Sequence, residues 1–400
     1  MSPLLPVADA LQRVLGSARP PGETRQRPLI DALGAVLAKD VNSPIDVPGD
    51  DNSAMDGYAL NAEDAGKPLP VSQRIPAGSV GTLLEPGTAA RIFTGAAVPP
   101  GADAVVMQEN CKEHNGVVTI STPVKAGANI RPSGQDITRG AVALTRGRRL
   151  RPQDLGLLAS IGCDAVEVFR PLRVAVLSTG DELIEPGAGA LEPGQLYNSN
   201  RYTLAGLIRG LGMEFVDAPV VPDDPQLTGL ALQSAAAAAD VVITSGGVSV
   251  GEEDHVKSQV EKLGQLDLWK LAIKPGKPLA FGSIGQTPFI GLPGNPTSVF
   301  VTFSLIARPF LLTLQGVDDV VPLAIPAIAD FTVAKPGIRQ EYLRVSLEPT
   351  ERGLMARSFA NQSSGVLSSV SYSNALAVIA PGTSVAPGDG VEVLLLDLLS

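Results

Sequence analysis

Residues 241–254 read VVITSGGVSVGEED, a short buried-strand run that passes directly into a polar, glycine-rich loop. The same pattern recurs at 173–182 (RVAVLSTGDE) and at 289–296 (FIGLPGNP). Helical spacing is found between and after these runs, at 199–210, 224–239, 254–263 and 297–314. Strands that alternate with helices predict a parallel sheet with right-handed crossovers. Residues 171–320 are therefore expected to form an α/β domain.

The regions on either side of this domain lack that alternation. Helical spacing predicts one helix over residues 7–15 and a second over 28–38. Between 41 and 170, short β-type runs are separated by proline and glycine turns, and one more helix is expected at 151–161. Residues 323–400 alternate with period two, which predicts a small β-barrel or sandwich. The expected fold class is multidomain α/β plus β.

Composition limits the possible functions. The chain has 400 residues, enough for two to four domains, and a net charge of −10, which argues against bulk nucleic-acid binding. An anionic ligand would need a local cationic pocket. Two cysteines and two histidines exclude a Cys/His zinc site and a disulfide scaffold. With no long uninterrupted apolar run and no signal-peptide pattern, we expect a soluble, cytoplasmic protein that binds neither nucleic acid nor membrane.

Three strand ends carry the candidate binding loops. In open α/β sheets, ligands bind at the carboxyl ends of the strands, where glycines let backbone N–H groups approach a phosphate and the next helix N-terminus adds a favourable dipole. Ordinary turn glycines are the alternative for any single loop, but three such loops indicate an anion-binding crevice. Its expected binding residues are Ser178, Thr179, Gly180, Ser245, Gly246, Gly247, Ser249, Pro293, Gly294, Asn295 and Pro296. No P-loop or dinucleotide fingerprint is present.

Three of the ten lysines lie within eight residues, in the stretch WKLAIKPGKP (269–278). Period two predicts that Lys270 and Lys274 share one face of a strand, and the Pro-Gly turn brings Lys277 nearby. In an acidic, lysine-poor chain this cluster predicts a cationic wall for phosphate or oxyanion groups. A solvated strand edge protected by lysines is the alternative.

Two acidic residues follow these strands. Glu182 and Asp254 are candidate Mg²⁺ ligands, because carboxylates beside a phosphate commonly hold this ion. The alternative is helix capping and first-turn charge, and Asp254 could serve both purposes. His255 is interpreted as a polar residue on a helix face rather than a general base.

The N-terminal half contains its own polar loops. The stretch DDNSAMDGYA (50–59) is dense in turn residues, and turn chemistry explains its Asn, Asp and Gly better than its Ser-Ala-Met. Thr94, Arg131 and Asp136 lie at further turns. On physical grounds alone, a binding function for these loops stays open.

Six stretches resemble the MoeA family of molybdopterin molybdenumtransferases, to which the gephyrin and plant Cnx E domains are related. They are DNSAMDGYA (51–59), RIFTGAAVPPGADAVVMQE (91–109), STGDEL (178–183), SGGVSVGEED (245–254), IKPGKP (273–278) and GLPGNP (291–296). The resemblance covers nearly the whole chain and keeps the family's order.

The resemblance implies a homodimer of four-part subunits. The expected parts are a discontinuous linker domain (1–45 and 141–170), a β-rich inserted domain (46–140), a MogA-like molybdopterin-binding domain (171–320) and a C-terminal β-barrel (321–400). The implied reaction inserts molybdate into adenylylated molybdopterin and hydrolyses the phosphoanhydride with Mg²⁺. AMP and molybdenum cofactor are released. The implied partners are the molybdopterin adenylyltransferase and apo-molybdoenzymes.

The resemblance also assigns roles to residues. The implied catalytic set is Asp56, Thr94, Asp136, Glu182, Asp224, Asp254, Lys270 and Lys274, with Glu182 and Asp254 on the metal. Arg344 and Ser364 are expected to approach the pocket from the C-terminal domain, and Pro293 and Pro296 to shape its floor. Asp56, Thr94, Arg131 and Asp136 are expected to reach the cleft from the partner subunit. Either Asp223 or Asp224 is expected to face the cleft.

Three positions depart from the family pattern. Gln135 and Asn198 stand where acidic residues are common, and Ser363 stands where glycine is common. Two rival functions remain: a molybdopterin adenylyltransferase that uses ATP, and a non-catalytic scaffold. The glycine loop at 245–254 and the additional N- and C-terminal domains favour the transferase.

Overall fold

The structure is a computed structural model that describes residues 4–20, 22–247 and 255–399. The chain divides into two compact units. The larger unit comprises Met1–Arg25, Gly34–Val36 and Val168–Ser400, and the smaller unit comprises Gln26–Leu33 and Leu37–Glu167.

A six-stranded mixed sheet forms the centre of the larger unit. Its order is Glu214–Asp217, Arg173–Ser178, Val241–Ser245, Thr287–Leu292, Pro278–Ile284 and Gly264–Lys270. The first four strands are parallel, and the last two are antiparallel to their neighbours. The expected α/β domain is thus confirmed, but its sheet is not wholly parallel, because Gly285 closes a tight hairpin at a φ of +58°.

Helices cover both faces of this sheet. They are Val7–Ser17, Ser199–Gly210, Pro225–Ala238, His255–Leu263 and the continuous helix of 296–314. Val174 and Val176 point into one apolar core, whereas Ala175 and Leu177 point into a second core on the opposite face. This alternation is the period-two pattern of a strand that is buried on both sides.

The helix of 296–314 is the main core helix. It is Pro296–Thr302, a π-helical segment at Phe303–Ala307, and Arg308–Leu314. Pro309 cannot donate a hydrogen bond to the preceding turn, and the helix widens immediately before it. In length and composition this helix could span a membrane, but 89% of its most apolar window is buried within the protein. It therefore reads as the core helix of a globular unit.

Five strands close into a barrel at the C-terminal end. They are Ala324–Ala329, Gln340–Thr350, Gly353–Ser358, Ala375–Ile379 and Gly390–Leu395. The ring closes because Gln340–Thr350 pairs with Gly353–Ser358 on one side and with Ala375–Ile379 on the other. The barrel, rather than the sandwich, is the observed form.

The smaller unit is β-rich, as expected. Its six-stranded sheet has the order Ala104–Met107, Gly57–Leu60, Ala89–Ile92, Leu69–Ile75, Val117–Ile120 and Cys111–His114. Gly57 permits close pairing, since a Cβ there would lie 1.8 Å from the Val106 carbonyl oxygen. Its helix, Pro152–Ser160, carries in its first turn a buried Asp154 that accepts hydrogen bonds from Arg148 and Arg151.

The remaining elements are short. The strands are Thr24–Pro28, Val41–Asn42, Asn52–Ser53, Ile130–Arg131, Val142–Leu144, Ala165–Phe169, Leu183–Ile184, Leu196–Tyr197 and Ile273–Lys274. The short helices are Leu29–Asp31, Ala62–Asp64, Gln108–Asn110, Ser368–Ser371 and Leu396–Leu398.

Two local expectations were wrong. The helix expected over 28–38 is a single 3₁₀ turn at Leu29–Asp31, and Gly34, at a φ of +74°, leaves the helical region. Lys270 and Lys274 do not share a strand. One strand ends at Lys270, and Lys274 lies on Ile273–Lys274, which pairs with the barrel.

Candidate active site

Three parallel strands end side by side at one edge of the central sheet. Ser178 is in register with Ser245, and Ser245 with Leu292, so the loops that follow begin at the same level. The Ser178 and Ser245 hydroxyl oxygens lie 3.5 Å apart. A cavity of about 950 Å³ opens at this edge, between the central sheet and the barrel.

Most of the expected binding residues in the larger unit line this cavity. They are Thr179, Glu182, Ser245, Gly246, Gly247, Lys274, Pro293, Gly294, Asn295, Pro296 and Ser364. Ser178 and Gly180 immediately flank Thr179, although the cavity lining does not include them. Ser249 and Asp254 lie outside the described residues.

The glycine loops approach one another closely. The Gly246 N–H donates to the Leu292 carbonyl oxygen over 3.0 Å, which ties two of the loops together. Gly247 has a φ of +71°, and a Cβ there would lie 2.4 Å from the Val256 side chain. Gly180 has a φ of +140°, and a Cβ there would collide with the Glu182 carboxylate. Glycine at these two positions therefore lets the loops pack against Val256 and Glu182.

The core helix of 296–314 begins at the cavity. Its first turn is joined to the barrel, because Thr297 donates its N–H to the Ser364 carbonyl and its hydroxyl to the Val366 carbonyl, each over 3.0 Å. Backbone N–H groups at a helix N-terminus favour an anion. Ser364 and the helix start thus form one polar corner.

Three basic residues line the barrel side of the cavity: Lys274, Lys277 and Arg339. Lys274 Nζ lies 3.1 Å from each carboxylate oxygen of Glu341, and Arg339 donates to the Ile273 carbonyl over 3.2 Å. Arg339 was missed in the sequence, since nothing in its spacing separates it from other surface arginines. Lys270 is exposed and lies outside the cavity lining.

Arg344 lies behind the cavity wall. Its side chain is 1% exposed and donates to the Ser369 hydroxyl and to the carbonyl oxygens of Tyr342 and Ser363. Burial lowers the pKa of Arg344 to about 10, so the guanidinium remains protonated at neutral pH. Through Ser363 it holds the loop that carries Ser364, which makes it a positioning residue in this structure.

Two asparagines organise the opposite wall. Asn198 is 1% exposed; its Oδ1 accepts the Arg201 N–H, and its Nδ2 donates to Glu185 over 3.1 Å. Asn200 donates to the Gly294 carbonyl over 2.7 Å, which fixes its amide orientation. Its Oδ1 is shielded and has no hydrogen-bond partner among the described residues.

The carboxylates expected at the cleft occupy different places. Asp224 accepts from the N–H groups of Gln226 and Leu227, each over 2.8 Å, and thereby caps the helix Pro225–Ala238. Asp223 exchanges hydrogen bonds with Asp181. Neither Asp223 nor Asp224 lines the cavity, and Asp224 serves as the N-cap of its own helix.

Glu182 is the expected metal ligand that the structure describes. Mg²⁺ commonly keeps several waters and binds through one or two carboxylates together with substrate phosphates. Glu182 is the one carboxylate residue among the described residues that line the cavity, and its place beside the glycine loops fits this mode. Within the described residues, no group of three or more His, Cys, Asp or Glu side chains forms a complete protein metal site.

The smaller unit brings Asp56 and Thr94 together. Thr94 donates its N–H and its hydroxyl to Asp56 Oδ1, each over 2.8 Å. Arg131 is exposed on the strand Ile130–Arg131, and the Asp136 N–H donates to the Val47 carbonyl. The roles expected for these four residues stay predictions.

Three family profiles match the chain in succession. "MoeA N-terminal region (domain I and II)" matches residues 5–162, "Probable molybdopterin binding domain" matches 175–313, and "MoeA C-terminal region (domain IV)" matches 326–396.

Known proteins show similarity over the same extent. The chain is 40% identical over 382 residues to a molybdopterin molybdenumtransferase of Haemophilus influenzae, covering 94% of each chain. A molybdopterin molybdenumtransferase of Nostoc is 39% identical over 383 residues, which cover 92% of this chain and 87% of that one. The crystal structure of the molybdopterin biosynthesis MoeA protein from Pyrococcus horikoshii OT3 is similar, with a TM-score of 0.85 and 32% identity over 98% of this chain and 100% of that one.

Proposed function

This chain belongs to the MoeA family of molybdopterin molybdenumtransferases, enzymes of molybdenum cofactor biosynthesis, and on that premise we propose the reaction that its cavity performs. Molybdate is inserted into adenylylated molybdopterin, the phosphoanhydride is hydrolysed, and AMP and molybdenum cofactor leave. The family and the enzyme class expected from the six sequence stretches are confirmed. The adenylylated substrate, Mg²⁺ and the release of AMP belong to the proposal.

One observation carries this proposal: phosphate-type glycine loops and a cationic wall face the same cavity. Gly246 and Gly247 lie on the loop side, and Lys274, Lys277 and Arg339 lie on the barrel side. Adenylylated molybdopterin contributes a phosphoanhydride, and molybdate is a tetrahedral dianion. Backbone N–H groups suit the first and charged donors suit the second. A cavity with both kinds of donor supports a reaction that joins these two substrates.

The wall that carries Asn200 would orient the pterin part of the substrate. Asn200 holds the Gly294 carbonyl in this wall, and Leu196 and Tyr197 add apolar and aromatic surface beside it. A flat heterocycle such as a pterin matches this combination. We assign the pterin to this wall and the phosphoanhydride to the glycine loops.

Glu182 and Asp254 are the residues proposed to hold Mg²⁺. When bound, the ion would neutralise charge on the phosphoanhydride oxygens. Glu182 folds over the Gly180 backbone and keeps its carboxylate at the cavity. Asp254 is included as a metal ligand only because it matches the family pattern.

The proposal includes a homodimer. Asp56, Thr94, Arg131 and Asp136 would reach the cavity of the partner subunit, as the family resemblance implies. A molybdopterin adenylyltransferase would supply the substrate, and apo-molybdoenzymes would receive the product. Cross-complementation tests the dimer: one inactive subunit altered at Glu182 and one altered at Asp56 should regain activity when they are mixed.

The reaction is tested by AMP release from adenylylated molybdopterin in Mg²⁺ buffer, with and without molybdate. Molybdate-dependent release, with a product that activates an apo-molybdoenzyme, is expected. Tight substrate binding without release would identify a scaffold, and pyrophosphate release from ATP would identify an adenylyltransferase.

The metal assignment has its own test. Glu182→Gln should raise the Mg²⁺ concentration needed for half-maximal AMP release by about tenfold, the effect of one lost charged ligand contact. Glu192→Gln is the matched control, because Glu192 is exposed on the same segment and outside the cavity lining. An equal Mg²⁺ dependence in both variants would remove Glu182 from the metal site.

A further inference from the structure

An ion pair across two domains marks the barrel side of the cavity. Lys274 lies on the two-residue strand Ile273–Lys274, and Glu341 lies directly opposite on the barrel strand Gln340–Thr350. Both carboxylate oxygens of Glu341 are 3.1 Å from Lys274 Nζ. The Glu341 side chain is 12% exposed and that of Lys274 is 49% exposed. The carboxylate is therefore held beside Lys274 and outside the cavity lining, whereas the ammonium group remains accessible.

The other two cations on this wall are available. Arg339 anchors one guanidinium nitrogen on the Ile273 carbonyl and keeps its other donors for a ligand. Lys277 follows Lys274 by three residues and lines the same cavity. Among the residues that the structure describes, neither Arg339 nor Lys277 forms an ion pair.

The charges on this wall can be counted. Lys274, Lys277 and Arg339 contribute three positive charges, and Glu341 removes one, which leaves two. Glu182 also lines the cavity, but it lies on the loop that follows the strand Arg173–Ser178. Two free cations match the charge of a tetrahedral dianion. An entering dianion that binds Lys274 is opposed by the negative charge of Glu341.

We infer that Arg339 is a further oxyanion-binding residue and that Glu341 sets the oxyanion affinity by occupying Lys274 while the cavity is empty. This inference rests on the proposed function, since it concerns how that site takes molybdate. The competition weakens binding of any oxyanion that the cavity admits. It also lets Lys274 return to a built-in partner when the product leaves.

Direct binding of molybdate to the whole protein tests the inference without the pterin substrate. Glu341→Gln should tighten molybdate binding about two- to fivefold, the scale of one partly exposed ion pair. Arg339→Gln should weaken it about tenfold or more, and Arg339→Lys should recover part of the loss because it retains the charge. Unchanged affinity in Glu341→Gln, or in Arg339→Gln, would overturn the inference, as would the absence of binding to the unaltered protein.

A matched control separates charge from folding. Glu348 lies on the same barrel strand and pairs with Arg357 over 3.2 Å, so Glu348→Gln also breaks an ion pair but should leave molybdate affinity unchanged. Perrhenate, a tetrahedral monoanion, is the second control. Loss of the Arg339 charge should weaken the binding of molybdate more than the binding of perrhenate. If the binding of both anions weakened equally, the effect of the substitution would be structural, which would contradict the inference.

AMP release in the same samples distinguishes a failure of this inference from a failure of the proposed function. If molybdate-dependent release persists in the unaltered protein while the affinities stay unchanged in the variants, only the inference on Glu341 and Arg339 fails. If the unaltered protein gives no release with any molybdate concentration, the proposed function fails.

Discussion

Thr94 donates two hydrogen bonds to a single oxygen of Asp56, one from its backbone N–H and one from its hydroxyl, each over 2.8 Å. The backbone hydrogen bond, followed by the hydroxyl hydrogen bond and the charge of Arg91, holds the pKa of Asp56 below its usual range. Asp56 is exposed, and yet it is ionised over a wider range of acidic pH than a free carboxylate. A side chain prepared in this way is suited to orient a donor or a cation.

Thr94→Val should therefore raise the pKa of Asp56 toward its ordinary value, because the hydroxyl donor is lost while the backbone donor remains. A carboxyl-carbon NMR titration of Asp56 measures this directly. A lowered native pKa contributes stability that is present above the unfolded-state pKa and is lost as the pH falls through the native pKa, so the variant should lose it at a higher pH. Thr88→Val, at a half-buried threonine in the same unit, should leave the Asp56 titration unchanged.

Lys270 and Lys277 give a direct comparison between sequence and structure. Lys277→Gln should raise the molybdate concentration for half-maximal AMP release about tenfold, because a charge-assisted contact in the cavity is lost. Lys270→Gln should have little effect, since this side chain is exposed and outside the cavity lining. If Lys270→Gln had the larger effect, the placement of the cationic wall on 274–277 would be incorrect.

The difference between these lysines shows where sequence reasoning stopped. The alternating strands and the glycine loops follow from local patterns, and these placed Ser245, Gly246 and Gly294 correctly at one sheet edge. Period two predicts that Lys270 and Lys274 share one face of a strand, but the chain leaves one sheet at Lys270 and joins the barrel at Ile273. A change of hydrogen-bonding partner depends on contacts about 70 residues away in the chain, which local spacing does not encode.

The same limit explains the other differences at the site. The family resemblance predicts Asp224 at the cleft, yet the two N–H groups that donate to it are in its own helix. Arg339 and Glu341 were missed in the sequence because they come close to Lys274 only when the barrel strand pairs with Ile273–Lys274. Arg344 was found only by resemblance, and its burial behind Ser363 became evident only in the fold.

Gly247→Ala should destabilise the folded protein. Its φ of +71° favours glycine, and a Cβ would lie 2.4 Å from the Val256 side chain, so strain and overpacking add. We expect a loss of about 2–4 kcal/mol in the free energy of unfolding, measured by chemical denaturation, together with weaker AMP binding. Gly285→Ala is the matched control, because Gly285 has a φ of +58° but open space around it. It should cost about 1 kcal/mol and leave AMP binding intact. Equal costs would show that backbone strain alone matters at Gly247.

Asn198→Asp tests the departure from the family pattern at this position. Asn198 donates to Glu185 over 3.1 Å, and an aspartate there would place two carboxylates in contact at a buried site. One of the two carboxylates would have a raised pKa in the folded protein, so its stabilising protonated form would be lost as the pH rises through that value. We expect Asn198→Asp to lose about 1–3 kcal/mol of unfolding free energy at pH 8 and clearly less at pH 5.

Glu185→Gln should restore much of the stability that Asn198→Asp removes. In the double variant the donor and the acceptor exchange places across the same contact. Denaturation curves at pH 5 and pH 8 for the two single variants and the double variant give the coupling between the positions. Arg201, which pairs with Glu185 over 2.7 Å, would lose that partner in the double variant but would keep Asp217. Recovery should therefore be substantial and incomplete at pH 8. A double variant as unstable as Asn198→Asp alone would show that a carboxylate at position 198 destabilises the fold through something other than its contact with Glu185, since aspartate keeps an oxygen that can accept the Arg201 N–H.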